Sequence, residues 1–577
     1  MKHALLAFVL VCCSAASALE KLSLDGLWDF RLEEDRRLEE LPALPSFEPS
    51  DRMMVPGCWD AFSRYYNQRG TGCYRREFTL TSDVTNAFLV VDQCGLRVKC
   101  WIDGRVVGFS PMPYNRLSFA TGPLRAGRHA VVAAVDSVYK WENVPLMGDY
   151  YDFYAFGGFY HGVWLELQRQ PVALRKVVVR TRDYMKGLVE LEVLYAQNGP
   201  DDFSADVSFD GAPARSVAFK SRRARLSVPN FRLWSPESPS LHRVTLTTDH
   251  QQLTARFGIR TVGTANGRIT LNGKPVYLKG VNRHEAHFEF GAAVPRQVML
   301  EDVMNMKDLG CNFVRGSHYQ QCEAFLDLCD EYGLMVWEES LGWGNGEFHA
   351  RQEAFRAQQE EQTRNMVRES INHPSVVISG FLNEPRSDQA YMKPIIDRLI
   401  EVIRAEDSGH LVTFACHMTR GDICHEKTDI IAYNAYPGWY SHAMKTGKAD
   451  ELRAAIRDCH AGTVKIFREK YKDNRPIIVS ETGVKAMYGL HDARGRAQFS
   501  EEFQSEYTRD TLEELRALDD IAGLAIWQFT DAKTYTRTGN NLQGREMGVN
   551  FGGLYDLYRR PKLAADEVKR AFAKEGK

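Results

Sequence analysis

The chain has 577 residues, 44% of them apolar and 26% charged, with a formal net charge of −2. That is the profile of a soluble globular protein long enough for three or four domains. The near balance of charge gives no electrostatic footprint for nucleic acid or an anionic surface as partner.

At the N-terminus, Lys2 and His3 precede an apolar stretch over 4–11, and Ala16-Ser17-Ala18 supplies a small-x-small cleavage pattern. This predicts a signal peptide over 1–18 and export to the periplasm or the medium. No later segment has ~18 uninterrupted apolar residues, so no membrane span is expected. Removing the leader takes Cys12 and Cys13 with it. The remaining cysteines, from Cys58 to Cys459, are too sparse for a disulfide scaffold and show no zinc-finger spacing. Buried thiols are expected for most of them.

Residues 19–170 read as all-β, with short alternating segments at 74–80, 87–92 and 130–136 broken by Gly, Asn, Asp and Pro. The stretch 98–108 predicts a hairpin around Asp103-Gly104. A jelly-roll β-sandwich is the expected fold. Residues 171–262 alternate at sandwich spacing (174–180, 188–195, 205–209, 242–248), which suits one immunoglobulin-like sandwich with a structural role.

From 263 to 577 apolar strands alternate with amphipathic helical segments such as 297–309 and 323–331, the pattern of parallel βα units. Eight strands are expected, at 276–281, 312–315, 334–338, 376–382, 411–415, 430–434, 477–480 and 524–529. Eight units predict a (β/α)8 TIM barrel. In such a barrel chemistry gathers at the C-terminal ends of the strands. Glu384 ends the fourth strand, in Leu382-Asn383-Glu384-Pro385, and Glu481 ends the seventh, in Ser480-Glu481-Thr482-Gly483. Strands four and seven lie on roughly opposite sides of the barrel mouth. Two carboxyls facing each other there suit a retaining glycosidase, in which one protonates the leaving group and the other attacks the anomeric carbon. Asn383, beside the first carboxyl, is placed to bond the sugar 2-hydroxyl.

Three further motifs are Phe257-Gly258-Ile259-Arg260, Leu271-Asn272-Gly273-Lys274-Pro275 and Lys279-Gly280-Val281-Asn282-Arg283-His284-Glu285. With Val314-Arg315-Gly316-Ser317-His318-Tyr319, Asn383-Glu384-Pro385 and Ser480-Glu481-Thr482-Gly483, they make the chain resemble glycoside hydrolase family 2 over essentially its whole mature length. This is the β-galactosidase, β-glucuronidase and β-mannosidase group. The resemblance implies a sugar-binding jelly roll, an immunoglobulin-like sandwich and a catalytic barrel. It implies Glu384 as acid/base and Glu481 as nucleophile, with Asn383 on the 2-hydroxyl. It further implies His318 on the sugar site, Tyr436 beside the nucleophile, Trp527 on the eighth strand as pocket floor, and Asp152 reaching in from the jelly roll. No organic cofactor is implied. Some β-galactosidases of the family use magnesium near the acid/base, but no clear set of oxygen ligands is legible here. Many relatives assemble, which leaves a homo-oligomer open.

The sugar is the point of departure. Length and the C-terminal Gly553-Leu554-Tyr555-Asp556 through Arg560-Pro561-Lys562 resemble β-glucuronidases. Those carry an Asn-x-Lys pair for the sugar carboxylate, whereas this chain reads Asn550-Phe551-Gly552. An unpaired buried carboxylate costs several kcal/mol. The expectation is therefore a neutral terminal β-hexoside, galactose first. The alternative is a glucuronide or galacturonide whose carboxylate meets Arg545 or Lys533. Two further readings are an endo-acting barrel glycosidase and an inactive carbohydrate-binding protein.

Overall fold

The computed structural model describes residues 16–17, 20–33, 38, 48–138, 153–249, 251–407, 409–439, 449–472, 474–494, 497–535 and 546–574. The proposed leader lies outside this set except for Ala16–Ser17, which pairs parallel to Gln251 and Gln252.

Two antiparallel sheets form the first sandwich. One runs, in spatial order, Asp51–Val55, Gly26–Glu33, Thr71–Leu80, Gly127–Asp136, Arg97–Ile102 and Arg105–Ser110. The other runs Arg116–Leu124, Val84–Asp92, Val163–Gln168 and Glu20–Ser23. Trp28, Phe30, Tyr74, Leu89 and Val135 fill the space between them. The expected hairpin is present, and Asp103 and Gly104 both take positive φ (50° and 77°), the geometry a two-residue type I′ turn requires.

The second sandwich sets Leu174–Asp183, Leu188–Tyr195 and Arg223–Ser227 against a sheet built on Gln251–Phe257, His242–Thr247, Phe203–Phe209 and Arg215–Phe219. Its core is Val177, Leu191, Val207, Leu246 and Phe257.

The third unit is a parallel barrel. Its strands are β1 (Leu278–Arg283), β2 (Phe313–Gly316), β3 (Met335–Trp343), β4 (Val376–Asn383), β5 (Leu411–Thr413, continued by Ala415–Cys416), β6 (Ile431–Asn434), β7 (Ile477–Thr482) and β8 (Ile521–Ile526). β8 pairs with β1 and β7. Leu411–Thr413 pairs with β4, and Ala415–Cys416 with β6, so the sheet is interrupted only at Phe414. Successive side chains alternate between the barrel interior and the helix layer. Phe313, Met335, Trp337, Ile378 and Ile478 share one cluster with Trp234 of the second sandwich, whereas Val314, Val336, Val376 and Val479 pack with the helical Met299, Val303 and Phe325.

The eighth strand differs from expectation. It starts at Ile521 and stops at Ile526, so Trp527 stands just past its end, its amide bonded to the Thr482 carbonyl at 2.9 Å. The ten described cysteines are thiols with no disulfide among them, all buried but Cys459, which is half-buried. No helix of the described residues is long and apolar enough to cross a membrane.

Candidate active site

Two local irregularities aim the strand-end residues. On β4, Leu382 and Glu384 both adopt left-handed φ (46° and 51°) around Asn383. Such backbone costs of order 1 kcal/mol or more per non-glycine residue and persists only where the surroundings enforce it. Here the Glu384 amide is fixed to the Ala415 carbonyl at 2.9 Å. On β7 the register slips against β6, so that Asn434 opposes Glu481 rather than Ser480. Strict alternation would turn Ser480 inward and Glu481 outward. The extra residue resets the parity, and both side chains join the polar network at the mouth. Gly483 follows because a Cβ there would come 2.4 Å from the Trp527 carbonyl oxygen.

Arg315, at the end of β2 and fully buried, is the hub. Its guanidinium donates to Glu481 Oε1 at 2.6 Å, to both oxygens of Glu339 at 2.8 and 3.0 Å, to Asn282 Oδ1 at 3.0 Å and to Asn383 Oδ1 at 2.9 Å. The Tyr436 hydroxyl donates to the other Glu481 oxygen at 2.6 Å. Asn434 donates to Glu384 Oε1 at 2.8 Å and to Asn383 Oδ1 at 3.2 Å, and its own Oδ1 accepts from Ser480 Oγ at 2.6 Å. Glu384, Asn434, Asn383, Arg315 and Glu481 thus form one continuous chain of hydrogen bonds.

The two carboxyls sit in unequal surroundings. Burial raises both above the ordinary range. On Glu481 this is opposed by the bonded Arg315 cation, by His318 and by the Tyr436 hydroxyl. On Glu384 it is opposed only by the Asn434 amide and by Arg315 acting without a direct bond. More groups therefore favour the charged form of Glu481 than favour that of Glu384. His318 is pushed down to about 3 by burial and the Arg315 cation. Its Nδ1 lies 3.2 Å from the Arg315 guanidinium and 3.4 Å from Glu339 Oε2, and its Nε2 lies 3.9 Å from Glu481 Oε1. The ring stacks on Trp527 with centroids 5.3 Å apart and planes 11° from parallel.

These groups line a cavity of about 320 Å³ with Trp343, His417, Trp439, Val484, Lys485 and Gly552. That is the small end of the range for small-molecule pockets. Of the residues singled out in the sequence, Glu384, Glu481, His318, Tyr436 and Trp527 face it together, with Asn383 bonded directly behind. Asn550 is buried beside it, accepting from the Gly552 amide at 3.2 Å, and its Nδ2 has no partner among the described residues. Lys533 is elsewhere. Its ammonium lies 3.4 Å from the Asp60 carbonyl, with the Tyr154 and Tyr66 ring centres at 4.0 and 4.1 Å, against the first sandwich. Burial lowers it to about 8. Asp152 and Arg545 lie outside the described residues. The next residue after Asp152, Phe153, packs on His284 and His318.

Sequence reasoning assigned no role to Arg315, Glu339, Asn434, Trp439 or Lys485. Arg315 and Glu339 stand at the exits of predicted strands, the same signal that picked out the two glutamates. Three groupings of metal-ligating residue types exist among the described residues (His161, Glu285, Cys322; Cys416, Asp422, His425; Asp327, Asp330, His373), and none includes Glu384 or Glu481.

Residues 262–575 match the family described as "Glycosyl hydrolases family 2, TIM barrel domain". The chain is 29% identical over 606 residues to the β-glucuronidase of Mus musculus, covering 96% of this chain and 90% of that one. Among solved structures it is similar to a GH2 β-galacturonidase from Eisenbergiella tayi bound to galacturonate. There the TM-score is 0.85 and the identity 28%, over 97% of this chain and 98% of that one. It shares the fold of Faecalibacterium prausnitzii β-glucuronidase, with a TM-score of 0.86 and 24% identity over 97% and 98% of the two chains. The family match spans more than half of the chain and covers the barrel that carries both strand-end glutamates: this protein belongs to glycosyl hydrolase family 2 and is a glycoside hydrolase.

Proposed function

We propose that the protein is an exo-acting retaining β-glycosidase that removes terminal β-linked hexuronic acid. The observation that carries the mechanism is the unequal wiring of the two carboxyls. Glu481, ionised by Arg315 and Tyr436, attacks the anomeric carbon while Glu384 gives its proton to the departing glycosidic oxygen. This yields the aglycone alcohol and a glycosyl ester on Glu481. Glu384, now a carboxylate, takes a proton from water as the water oxygen attacks the same carbon. The ester bond breaks, the sugar leaves with its β configuration retained, and both glutamates return to their starting state. Asn383, held by Arg315 and Asn434, has its amide available to the 2-hydroxyl. A cavity of about 320 Å³ suits one terminal ring better than an extended chain.

The expectation of galactose as first substrate is not what the relatives support, because those described above are named β-glucuronidase or β-galacturonidase. The alternative, a uronide, fits them. Lys533 is committed to the Asp60 wall and is not the residue that meets the carboxylate. The apolar stretch 4–11 followed by Ala16-Ser17-Ala18 supports export as the setting for this activity.

The test is turnover of aryl β-galacturonide, β-glucuronide and β-galactoside by the wild type and by Glu481→Gln. The reading expects uronide cleavage lost in the variant. Unchanged turnover would sink the nucleophile assignment, and activity confined to the galactoside would sink the uronide. Release of internal fragments from an oligosaccharide would contradict exo action.

A further inference from the structure

Three side chains from three different elements meet where the first sandwich abuts the barrel. His161 stands two residues before the strand Val163–Gln168, Glu285 two residues past the end of β1, and Cys322 one residue before the helix Glu323–Tyr332. His161 Nε2 lies 3.0 Å from Glu285 Oε1, and the Cys322 thiol donates to the same oxygen at 3.4 Å. One ligand-type atom from each of the three lies within 4.8 Å of the other two. Glu285 and Cys322 are buried, and the His161 side chain is 11% exposed. The backbone fixes all three. On either side of His161, the Tyr160 amide donates to the Gln93 carbonyl at 3.1 Å and the Asp92 amide to the Gly162 carbonyl at 3.0 Å. The Glu285 amide donates to the Tyr319 hydroxyl at 2.9 Å. The Cys322 carbonyl accepts from the Phe325 and Leu326 amides, both at 3.1 Å.

A charged pair alone does not account for this arrangement. His161 Nε2 is close to the carboxylate but makes no aligned hydrogen bond to it or to any other described residue. The thiol then adds a third donor atom around the same oxygen. Donor atoms that crowd a shared point without bonding well to one another have the geometry of a chelate. A tetrahedral zinc ion, with bonds of about 2.3 Å to sulfur and 2.0–2.2 Å to nitrogen and oxygen, sets its ligand atoms roughly 3.3–3.6 Å apart. The observed 3.0 and 3.4 Å are within a few tenths of an ångström of that spacing. Charge fits too, since a carboxylate and a thiolate beside a neutral imidazole carry two negative charges for a divalent cation to cancel. Sulfur and imidazole ligands favour zinc over magnesium or calcium. His161 and Met299 line a cavity of about 670 Å³ along this seam, which supplies an entry path. Its described lining shares no residue with that of the catalytic cavity.

We propose that His161, Glu285 and Cys322 bind a divalent transition-metal cation of the zinc class, which clips the first sandwich to the barrel. Binding releases the Cys322 thiol proton to solvent, His161 ligates as the neutral imidazole, and water completes the tetrahedron. The proposal is independent of which sugar the enzyme cleaves.

The experiment uses the full chain, stripped with a chelator and titrated with Zn²⁺ by calorimetry and with Co²⁺ by absorption spectroscopy. The wild type should take up one Zn²⁺ per chain, and Co²⁺ should give thiolate-to-metal charge-transfer absorption. Cys322→Ser should lose that absorption, and His161→Gln should weaken Zn²⁺ binding by about 10²-fold or more. Cys459→Ser, at the half-buried thiol on the helix Ala449–Tyr471, should match the wild type. If neither site variant folds, X-ray absorption at the zinc edge of the wild type decides. It should show one sulfur at about 2.3 Å and nitrogen and oxygen at about 2.0–2.2 Å. A shell with no sulfur or more than one overturns the proposal. So does a wild type that takes up less than one Zn²⁺ per chain, or charge-transfer absorption that survives in folded Cys322→Ser or disappears in Cys459→Ser. Unweakened Zn²⁺ binding in folded His161→Gln also overturns it, leaving the cluster as an interdomain ion pair only.

Discussion

Replacing Tyr436 with Phe removes one hydroxyl from the nucleophile and nothing else of its size. In the wild type that hydroxyl donates to Glu481 Oε2 at 2.6 Å, opposite the Arg315 bond to Oε1 at 2.6 Å. A hydrogen bond to a charged group is worth about 1.5–3 kcal/mol. Its loss weakens the charged form of Glu481 by roughly 10–150-fold relative to the protonated form. The sign follows directly. Burial already raises this carboxyl, and the Tyr436 bond opposes that rise. Without it the nucleophile is protonated at higher pH, so the acid limb of the kcat/KM profile moves up. The basic limb reports loss of the Glu384 proton and stays in place, because Tyr436 is not bonded to Glu384. The assay is a pH–rate profile on an aryl β-uronide, with the folded state checked at each pH. A basic limb that moves while the acid limb does not would refute the assignment of the two glutamates. A profile unchanged on both sides would refute the contribution of the hydroxyl.

Glu384→Ala should slow substrates with poor leaving groups by about 10²–10⁴-fold, and those with strongly acidic aglycones much less, since the latter need no proton; equal losses across an aglycone series would remove Glu384 from the acid role. Asp422, buried behind β5, is raised by burial, but His425 and the Tyr471 hydroxyl outweigh this and hold its carboxyl well below the ordinary range. A depressed carboxyl contributes stability that is present above the unfolded value of about 3.9 and lost as pH falls through the folded value. Asp422→Asn should therefore unfold at lower urea than wild type by about 3–5 kcal/mol at neutral pH. The gap should begin to narrow below about pH 4 and close only as pH falls through the lower folded value; a gap that stays constant with pH would show the charge is not what stabilises the fold.

The barrel was legible because its apolar runs and helical segments alternate regularly, and a carboxyl closing a buried strand is an unusual residue in a recognisable place. What pattern could not supply was parity. Alternation along 477–480 turns Glu481 outward, and only the slip opposite Asn434 turns it in. Neither could pattern find the hub. Arg315 makes sense through Glu339, Asn282, Asn383 and Glu481, which come from four other strands or their ends, and that convergence exists only once the barrel closes. Trp527 was read as part of a strand because apolar content continues past Ile526, but pairing with β1 and β7 ends there. Lys533 drew notice as a cation near the expected substrate carboxylate, yet aromatic rings and the Asp60 carbonyl hold it in the wall against the first sandwich. The expected positions Asp152 and Arg545 fall outside the described residues.

The most direct test of the central claim is to trap the intermediate. A 2-deoxy-2-fluoro β-uronide with an activated leaving group should load the enzyme and hydrolyse slowly. Peptide mass spectrometry then reads where the sugar is attached. The account predicts one glycosyl adduct, on Glu481, with β configuration retained in the product of normal turnover. An adduct on another residue, or turnover with inversion and no adduct, would contradict it.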